Sequence, residues 1–176
     1  MRVIAGIYGG RPLRAPAGRG VRPTADRVKE AVFSMLGPLE GARVLDLFSG
    51  SGALAIEALS RGAASAVCVD SAPAAIAAIR ENLERVGADA EVVRRPAHAF
   101  LGAASSQPDL YDLVFLDPPY KLANALGHEL SAVLAPVLAP GARVVTESDR
   151  RMPLELELAL LTERRYGDTL IRIHQA

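Results

Sequence analysis

The residues Asp117, Pro118, Pro119 and Tyr120 follow directly on the apolar run 113–116. Two consecutive prolines remove two backbone donors and restrict two φ angles, so the chain turns here as a stiff corner instead of continuing as a strand. The corner keeps its acceptors, which are the backbone carbonyls and the Asp117 carboxylate. Tyr120 adds a flat face. Acceptors held beside an aromatic plate suit a flat group that carries an amine.

A second cluster lies upstream, in DLFSGSGALAIEAL at 46–59. Gly50 and Gly52, with Ser51 between them, let the backbone turn tightly and approach a ligand, and the helix that follows presents free N–H groups. Gly50, Gly52 and Ala55 satisfy the loose dinucleotide fingerprint, and Asp70 stands near the distance expected of an acid that binds ribose hydroxyls. A tight strand-to-helix turn without a ligand uses the same residues. A pyrophosphate-binding turn has little reason for a carboxylate just before it, yet Asp46 is there. S-adenosylmethionine carries a sulfonium, an α-ammonium and a ribose, so acids at both strand ends suit it better than they suit a nicotinamide cofactor.

The corner at 117–120 fits the pattern (D/N/S)PP(Y/F/W) and so resembles amino-methyltransferases that modify exocyclic NH₂ groups of nucleobases. The chemistry explains the residue types. An exocyclic amine is a poor nucleophile because its lone pair is delocalised into the ring. Hydrogen bonds donated to Asp117 and to the Pro118 carbonyl favour a pyramidal nitrogen and stabilise positive charge developing on it, an effect of about 3 kcal/mol when preorganised. Stacking of a base on Tyr120 adds about 1–3 kcal/mol.

These residues need a frame, and the hydrophobic pattern supplies one. From Ala42 onward strands alternate with helices. Strands are expected at ARVLDLF (42–48), SAVCVD (65–70), AEVVR (90–94), YDLVFLD (111–117) and GARVVTES (141–148). Helices are expected at SGALAIEALSRG (51–62), PAAIAAIRENLERVG (73–87, closed by Gly87), 96–103 and ANALGHELSAVLAPVL (123–138). The tail LELELALLTERRYGDTLIRIHQ (154–175) alternates with period two on either side of a turn, which predicts a terminal antiparallel strand pair. Helices of this length between strands require right-handed crossovers and a parallel sheet covered on both faces. Ligands of such sheets bind at the carboxyl ends of the strands, here after Leu47, Val69 and Leu116. Ahead of this frame, residues 1–16 predict a β-hairpin around Gly9 and Gly10. Thr24 is the expected N-cap of a helix over TADRVKEAVFSML (24–36), ended by Gly37.

Length and composition agree with one α/β domain of residues 24–176 preceded by a basic extension, 1–23. The chain has 176 residues and is half apolar. Its single cysteine, Cys68, reads as a small buried residue, which excludes a disulfide framework and fits a reducing, cytoplasmic setting. No targeting signal or membrane-spanning run is visible. His98, His128 and His174 lack metal-ligand spacing, so no metal is expected. The formal net charge is zero, but residues 1–30 carry seven basic side chains against two acidic ones, +5, on a body of −5. Such an asymmetry suits local contact with phosphates.

Beyond the two central motifs, MRVIAGIYGGRPL, RGVRPTADRVKEAVFSML, VLDLFSGSGALAIEALSRGA, VFLDPPY and RRYGDTLIRI together resemble the RsmD family over nearly the whole chain. The resemblance implies a Rossmann-like class I S-adenosylmethionine-dependent methyltransferase fold. Its sheet would have seven mostly parallel strands with a terminal antiparallel pair, behind a small N-terminal hairpin. It also implies methylation of the N2 amine of a guanine (position 966) in bacterial 16S rRNA, within an assembled or assembling 30S particle, by a monomer. Carried over by position, Asp46, Gly50, Ser51 and Gly52 would line the methionine end of the cofactor. Asp70 would bind its ribose, Ser71 would lie near its adenosine, and Thr24 and Arg27 would pack over the pocket. Asp117 to Tyr120 would hold the guanine, while Arg11, Arg14 and Arg22 would meet RNA phosphates. Arg27 could pair with the cofactor carboxylate or, equally, with a neighbouring acid.

One departure stands out. Where many relatives place an Asp for the cofactor adenine, this chain reads RRPAHAF. The Ala97 backbone or His98 would have to replace it, unless His98 is a surface residue. The competing readings are an N6-adenine methyltransferase acting on DNA or RNA, a non-catalytic RNA-binding protein with this fold, and a dehydrogenase. The short chain leaves little room for a DNA target-recognition region. The intact Asp117 opposes a dead enzyme, and nothing in the sequence serves hydride transfer.

Overall fold

The strand segments are apolar at odd and even positions alike, and the computed structural model buries both sets. The structure describes residues 1–17, 25–104, 110–118 and 130–176. Among these, the strands are β1 (Arg43–Leu47), β2 (Ser65–Asp70), β3 (Glu91–Arg94), β4 (Tyr111–Leu116), β5 (Leu138–Asp149), β6 (Ala159–Tyr166) and β7 (Thr169–Gln175). They form one sheet in the order β3-β2-β1-β4-β5-β7-β6. β1 to β5 run parallel, and β7 enters antiparallel between β5 and β6. Strand order reverses at β1, which is flanked by β2 and β4, and so a crevice opens beyond the carboxyl ends of β1 and β4.

Val44, Cys68, Leu113, Phe115 and Ile171 face helices α1 (Asp26–Leu36), α2 (Ala53–Ser60) and α3 (Pro73–Val86). Leu45, Leu47, Val69, Val114 and Leu116 face Leu101 of α4 (Ala97–Ala104) together with Leu130 and Leu134. Each such side chain contributes about 1.5–3 kcal/mol by leaving water. The helix ends follow their punctuation. Pro73 opens α3, and Gly87 closes it in the left-handed region at φ +63°.

Several expectations are corrected. The N-cap of α1 is Ala25, without a side-chain cap bond; Thr24 lies outside the described residues. β5 starts at Leu138, so the stretch expected to stay helical to 138 turns through a 3₁₀ segment at Ala135–Val137 first. In the tail, β6 begins at Ala159, and the alternating residues 154–158 lie outside it.

Residues 1–13 form the expected hairpin only in a short form. Its arms pair through Leu13 N–H to the Met1 carbonyl (3.0 Å), Val3 N–H to the Arg11 carbonyl (2.9 Å), Gly10 N–H to the Val3 carbonyl (2.9 Å) and an isolated antiparallel bridge, Arg2 to Pro12. The reason is that the loop gives its donors to the body of the protein. Ile4 N–H (2.7 Å) and Ala5 N–H (3.1 Å) donate to the Glu57 carboxylate, Tyr8 N–H to Ser60 Oγ (3.0 Å), and Ile7 N–H to the Ser60 carbonyl (2.8 Å). Close approach requires Gly6, because a Cβ there would lie 1.7 Å from the Ser60 oxygen. Farther along, Asn82 of α3 pairs with the Arg14 backbone in both directions, each bond 2.8 Å.

Candidate active site

Four acids stand at the carboxyl ends of neighbouring parallel strands: Asp70 of β2, Asp46 of β1, Asp117 just past β4, and Glu147 near the end of β5. By alternation all four share the sheet face covered by α1, α2 and α3.

Asp46 is buried, and its carboxylate accepts the Ala55 N–H at 3.3 Å, which ties β1 to the first turn of α2. Burial pushes its carboxyl up to about 7; the Ala55 N–H opposes this, and the charge of Asp70 adds to it. Between them runs the glycine loop. Phe48 sits at φ +65°, an uncommon conformation for a non-glycine residue, while Gly50 (φ +55°) and Gly52 (φ +74°) continue the left-handed path. Ser49 N–H reaches the Val69 carbonyl (3.1 Å), and Asn82 Nδ2 donates to the Ser51 carbonyl (2.9 Å), so both flanks of the turn are braced. A Cβ on Gly50 would meet only the Phe48 oxygen, at 3.9 Å, so the space above this residue is open to a ligand.

Asp70 holds the loop from the other side. One carboxylate oxygen accepts Gly50 N–H and the other Ala72 N–H, both at 2.9 Å. Each oxygen keeps a further lone pair for a hydroxyl. The loop, the N-terminus of α2 with Gly52 at its N-cap, and the two acids fit a nucleoside cofactor that carries a cationic amine. Ser51 is buried in this turn, and Ser71 is exposed just beyond Asp70. Ala97 is the buried first residue of α4, and His98 beside it is exposed.

Asp117 lies across the crevice. It shares a narrow cleft with Glu147, walled by Val32 of α1, Leu54 of α2, Phe115 and Ile171. Burial pushes its carboxyl well above the usual range, and the charges of Glu147 and Asp46 push it the same way. Pro118 is buried behind it. Pro119, Tyr120, Thr24 and Arg22 lie outside the described residues.

The basic residues expected at phosphates make contacts within the chain. The guanidinium of Arg11 bonds the Val86 carbonyl and stacks 5.4 Å from the Tyr8 ring centre. Arg14 pairs with Glu81 at 2.8 Å. Arg27 is exposed on the first turn of α1, and its neighbour Asp26 pairs with Arg2 at 3.6 Å. Since α3 runs away from the carboxyl end of the sheet, the Arg11 contact at Val86 sits at the end opposite Asp117.

Sequence reasoning missed Glu147, Lys29, Glu57 and Asn82. The signal for Glu147 was present: like Asp46, it is an acid closing an apolar strand, in ARVVTES. Among the described residues no His, Cys, Asp and Glu group could hold a metal ion, and no helix is long and apolar enough to cross a membrane.

Comparison with known proteins decides the family. Residues 1–175 match the family model described as Conserved hypothetical protein 95. The chain belongs to this family, RsmD. Among its members, the Bacillus subtilis protein YlbH is 39% identical over 99% of this chain and 98% of its own. Ribosomal RNA small subunit methyltransferase D of Haemophilus influenzae is 34% identical over 99% and 93%. The solved structure of the Escherichia coli protein yhhF superposes with a TM-score of 0.83 at 34% identity, covering 99% of this chain and 97% of the other. The RsmD fold is that of class I S-adenosylmethionine-dependent methyltransferases, and its seven-stranded sheet with an antiparallel pair is the one described above.

Proposed function

We propose that this protein methylates the exocyclic N2 amine of a guanine in small-subunit rRNA, using S-adenosylmethionine. The observation that carries the reading is Asp117. It is a carboxyl half-buried at the rim of the crevice, next to a glycine loop built for a nucleoside cofactor. The relatives named as ribosomal RNA small subunit methyltransferase D support RNA as the substrate class.

Asp46, Gly50, Ser51, Gly52 and Asp70 would hold the cofactor, with Ser71 and Ala97 toward its adenosine and Thr24 and Arg27 over the pocket. When bound, it supplies the activated methyl group. The chain's own residues do the rest. Asp117 and the Pro118 carbonyl accept the two amine N–H bonds, which turns the nitrogen lone pair toward the crevice. Tyr120 stacks on the base plane, so the amine meets its acceptors in one orientation, and orientation accounts for much of the rate in a transfer between two bound groups. As positive charge grows on nitrogen, the Asp117 carboxylate stabilises it. The amine proton is then lost to Asp117 or to water.

Arg14, Arg11 and Arg22 would contact phosphates remote from the target base, with the 30S particle as substrate and the enzyme acting as a monomer in the cytoplasm. Transfer of tritiated methyl groups to unmethylated small-subunit particles, naked rRNA and DNA tests the reading. Incorporation into RNA or particles supports it, and incorporation confined to DNA overturns it.

A further inference from the structure

The stretch RRYGDT at 164–169 has no part in the chemistry above, yet the sheet sets its first residue level with Asp117. Leu116 of β4 and Thr146 of β5 are register partners, so Asp117 and Glu147 come one residue farther along. Glu147 pairs with Ile171 of β7, and Ile171 pairs with Arg164 of β6. Paired residues on neighbouring strands point to the same face, so Asp117, Glu147, Ile171 and Arg164 make one row across the sheet. The first three line one cleft, which fixes the face. At about 4.8 Å per strand, the Arg164 backbone stands about 14 Å from that of Asp117.

Alternation along β6 agrees with this placement. Tyr166, two residues on, packs against the core of the same face. Glu163 and Arg165 point the other way, where they pair with each other at 3.1 Å and Glu163 meets Arg172 at 2.9 Å. Arg164 is exposed, and its guanidinium donates to the Glu163 carbonyl at 2.9 Å. No carboxylate among the described residues pairs with it. Arg150 and Arg151, just past β5 at the same end of the sheet, share the Asp168 carboxylate at 3.2 and 3.9 Å.

The glycine loop and Asp70 lie on the β1–β2 side of Asp117, so a bound cofactor fills that side. A polynucleotide that delivers a base to Asp117 must then lie on the other side, over β5, β7 and β6. Its phosphates are what an exposed arginine holds best, through a planar fork of N–H donors. Phosphate contacts fix the register of the chain, and register decides which base enters the crevice.

We infer that Arg164 holds a phosphate of a nucleotide flanking the target base, and that this margin of the sheet, continued by Arg150 and Arg151, carries the RNA strand past the crevice. The inference rests on the proposed reading of the site as an rRNA methyltransferase and names the surface that positions its substrate. Arg11 and Arg14 are remote from the crevice, so their contacts and this one are separate.

Cross-linking reads the position directly. Cys68 is buried, so a photoreactive thiol reagent on Arg164→Cys reports from that site alone. Irradiated with unmethylated small-subunit particles and S-adenosylhomocysteine, it should join rRNA within about five nucleotides of the base that the wild type methylates, the span of the row at about 3.4 Å per stacked nucleotide plus the reagent. Primer extension locates the product. The same reagent on Arg165→Cys, aimed at the opposite face, should give little product there. In binding, Arg164→Ala should weaken particle affinity about 10-fold and reduce the log–log salt slope by about one, while Arg164→Lys restores the slope and Arg165→Ala leaves both as in wild type. S-adenosylhomocysteine affinity equal to wild type shows that the fold is intact in each variant. Cross-links confined to distant nucleotides, or equal losses in Arg164→Ala and Arg165→Ala, overturn the assignment to Arg164 and leave the methyltransferase reading standing. Failure of the wild type to methylate small-subunit rRNA overturns both.

Discussion

Lys29 Nζ lies 3.2 Å from Glu57 Oε2, and both side chains are sealed from solvent. The pair joins three parts of the molecule. Lys29 of α1 donates to the Arg2 carbonyl at 2.5 Å, and Glu57 of α2 accepts from Ile4, Ala5 and, at 2.8 Å, Arg61. Burial pushes the Lys29 amine down, and Glu57 pulls it back up. The N-terminal loop is therefore fastened to the two helices that wall the cleft beside Asp117.

Removing one partner leaves the other charge buried and alone. Lys29→Met should cost about 3–5 kcal/mol. Glu57→Gln should cost a comparable amount, because backbone donors lose a charged acceptor as well. The double variant should cost clearly less than the sum of the two. Denaturant unfolding of the three proteins checks this, and additive losses would mean that the two groups do not act as a pair.

Asp117→Ala should lower turnover by about 100-fold or more, the scale of losing a preorganised transition-state acceptor. Cofactor affinity should stay within a factor of a few. Asp117→Asn keeps an acceptor oxygen and should retain more activity than the alanine variant. Rapid-quench methyl transfer and equilibrium dialysis separate the two quantities; full activity in Asp117→Ala would refute the acceptor role.

A carboxyl held at about 7 in the folded protein, against 3.8 ordinarily, keeps a proton between those pH values that the unfolded chain has released. The folded state then binds more protons, so the stability contributed by Asp46 is present below pH 4 and is lost as pH rises toward 7. Without cofactor, the protein should lose about 1–3 kcal/mol from this source between pH 4 and pH 7. Asp46→Asn should flatten that part of the profile. Denaturant midpoints for both proteins across the range check it, and parallel profiles would contradict it.

Much of the frame was legible in the residues. The strand segments, the glycine turn and Gly87 each announce themselves by local geometry, because the physical requirement lies within a few residues. Other features depend on partners far along the chain. Lys29 falls in an amphipathic helix, where a lysine ordinarily marks the wet side; only Glu57, folded against it, makes burial tolerable. The hairpin expected at residues 1–16 stays short for a similar reason, since Glu57 and Ser60 take the backbone donors of Ile4, Ala5, Ile7 and Tyr8. Glu147 was readable as an acid ending a strand, but its neighbourhood with Asp117 follows only from the β4–β5 register.

Arg14 offers a test of the remote RNA contact. Its guanidinium faces Glu81 but remains largely exposed, so a phosphate can share it. Arg14→Glu should weaken binding to small-subunit particles and reduce the log–log salt slope by about one, with cofactor affinity unchanged. Glu81→Gln should leave that slope in place. An unaltered slope in Arg14→Glu would remove this residue from the interface.

The central claim is that the acceptors at Asp117 and Pro118 take an exocyclic guanine amine. Nucleoside mass spectrometry of small-subunit rRNA, after incubation of unmethylated particles with the wild-type protein and isotopically labelled S-adenosylmethionine, reads that atom directly. Labelled N2-methylguanosine as the single new modification is the expected result. Label on adenosine N6, on ribose or on a ring carbon would contradict the account.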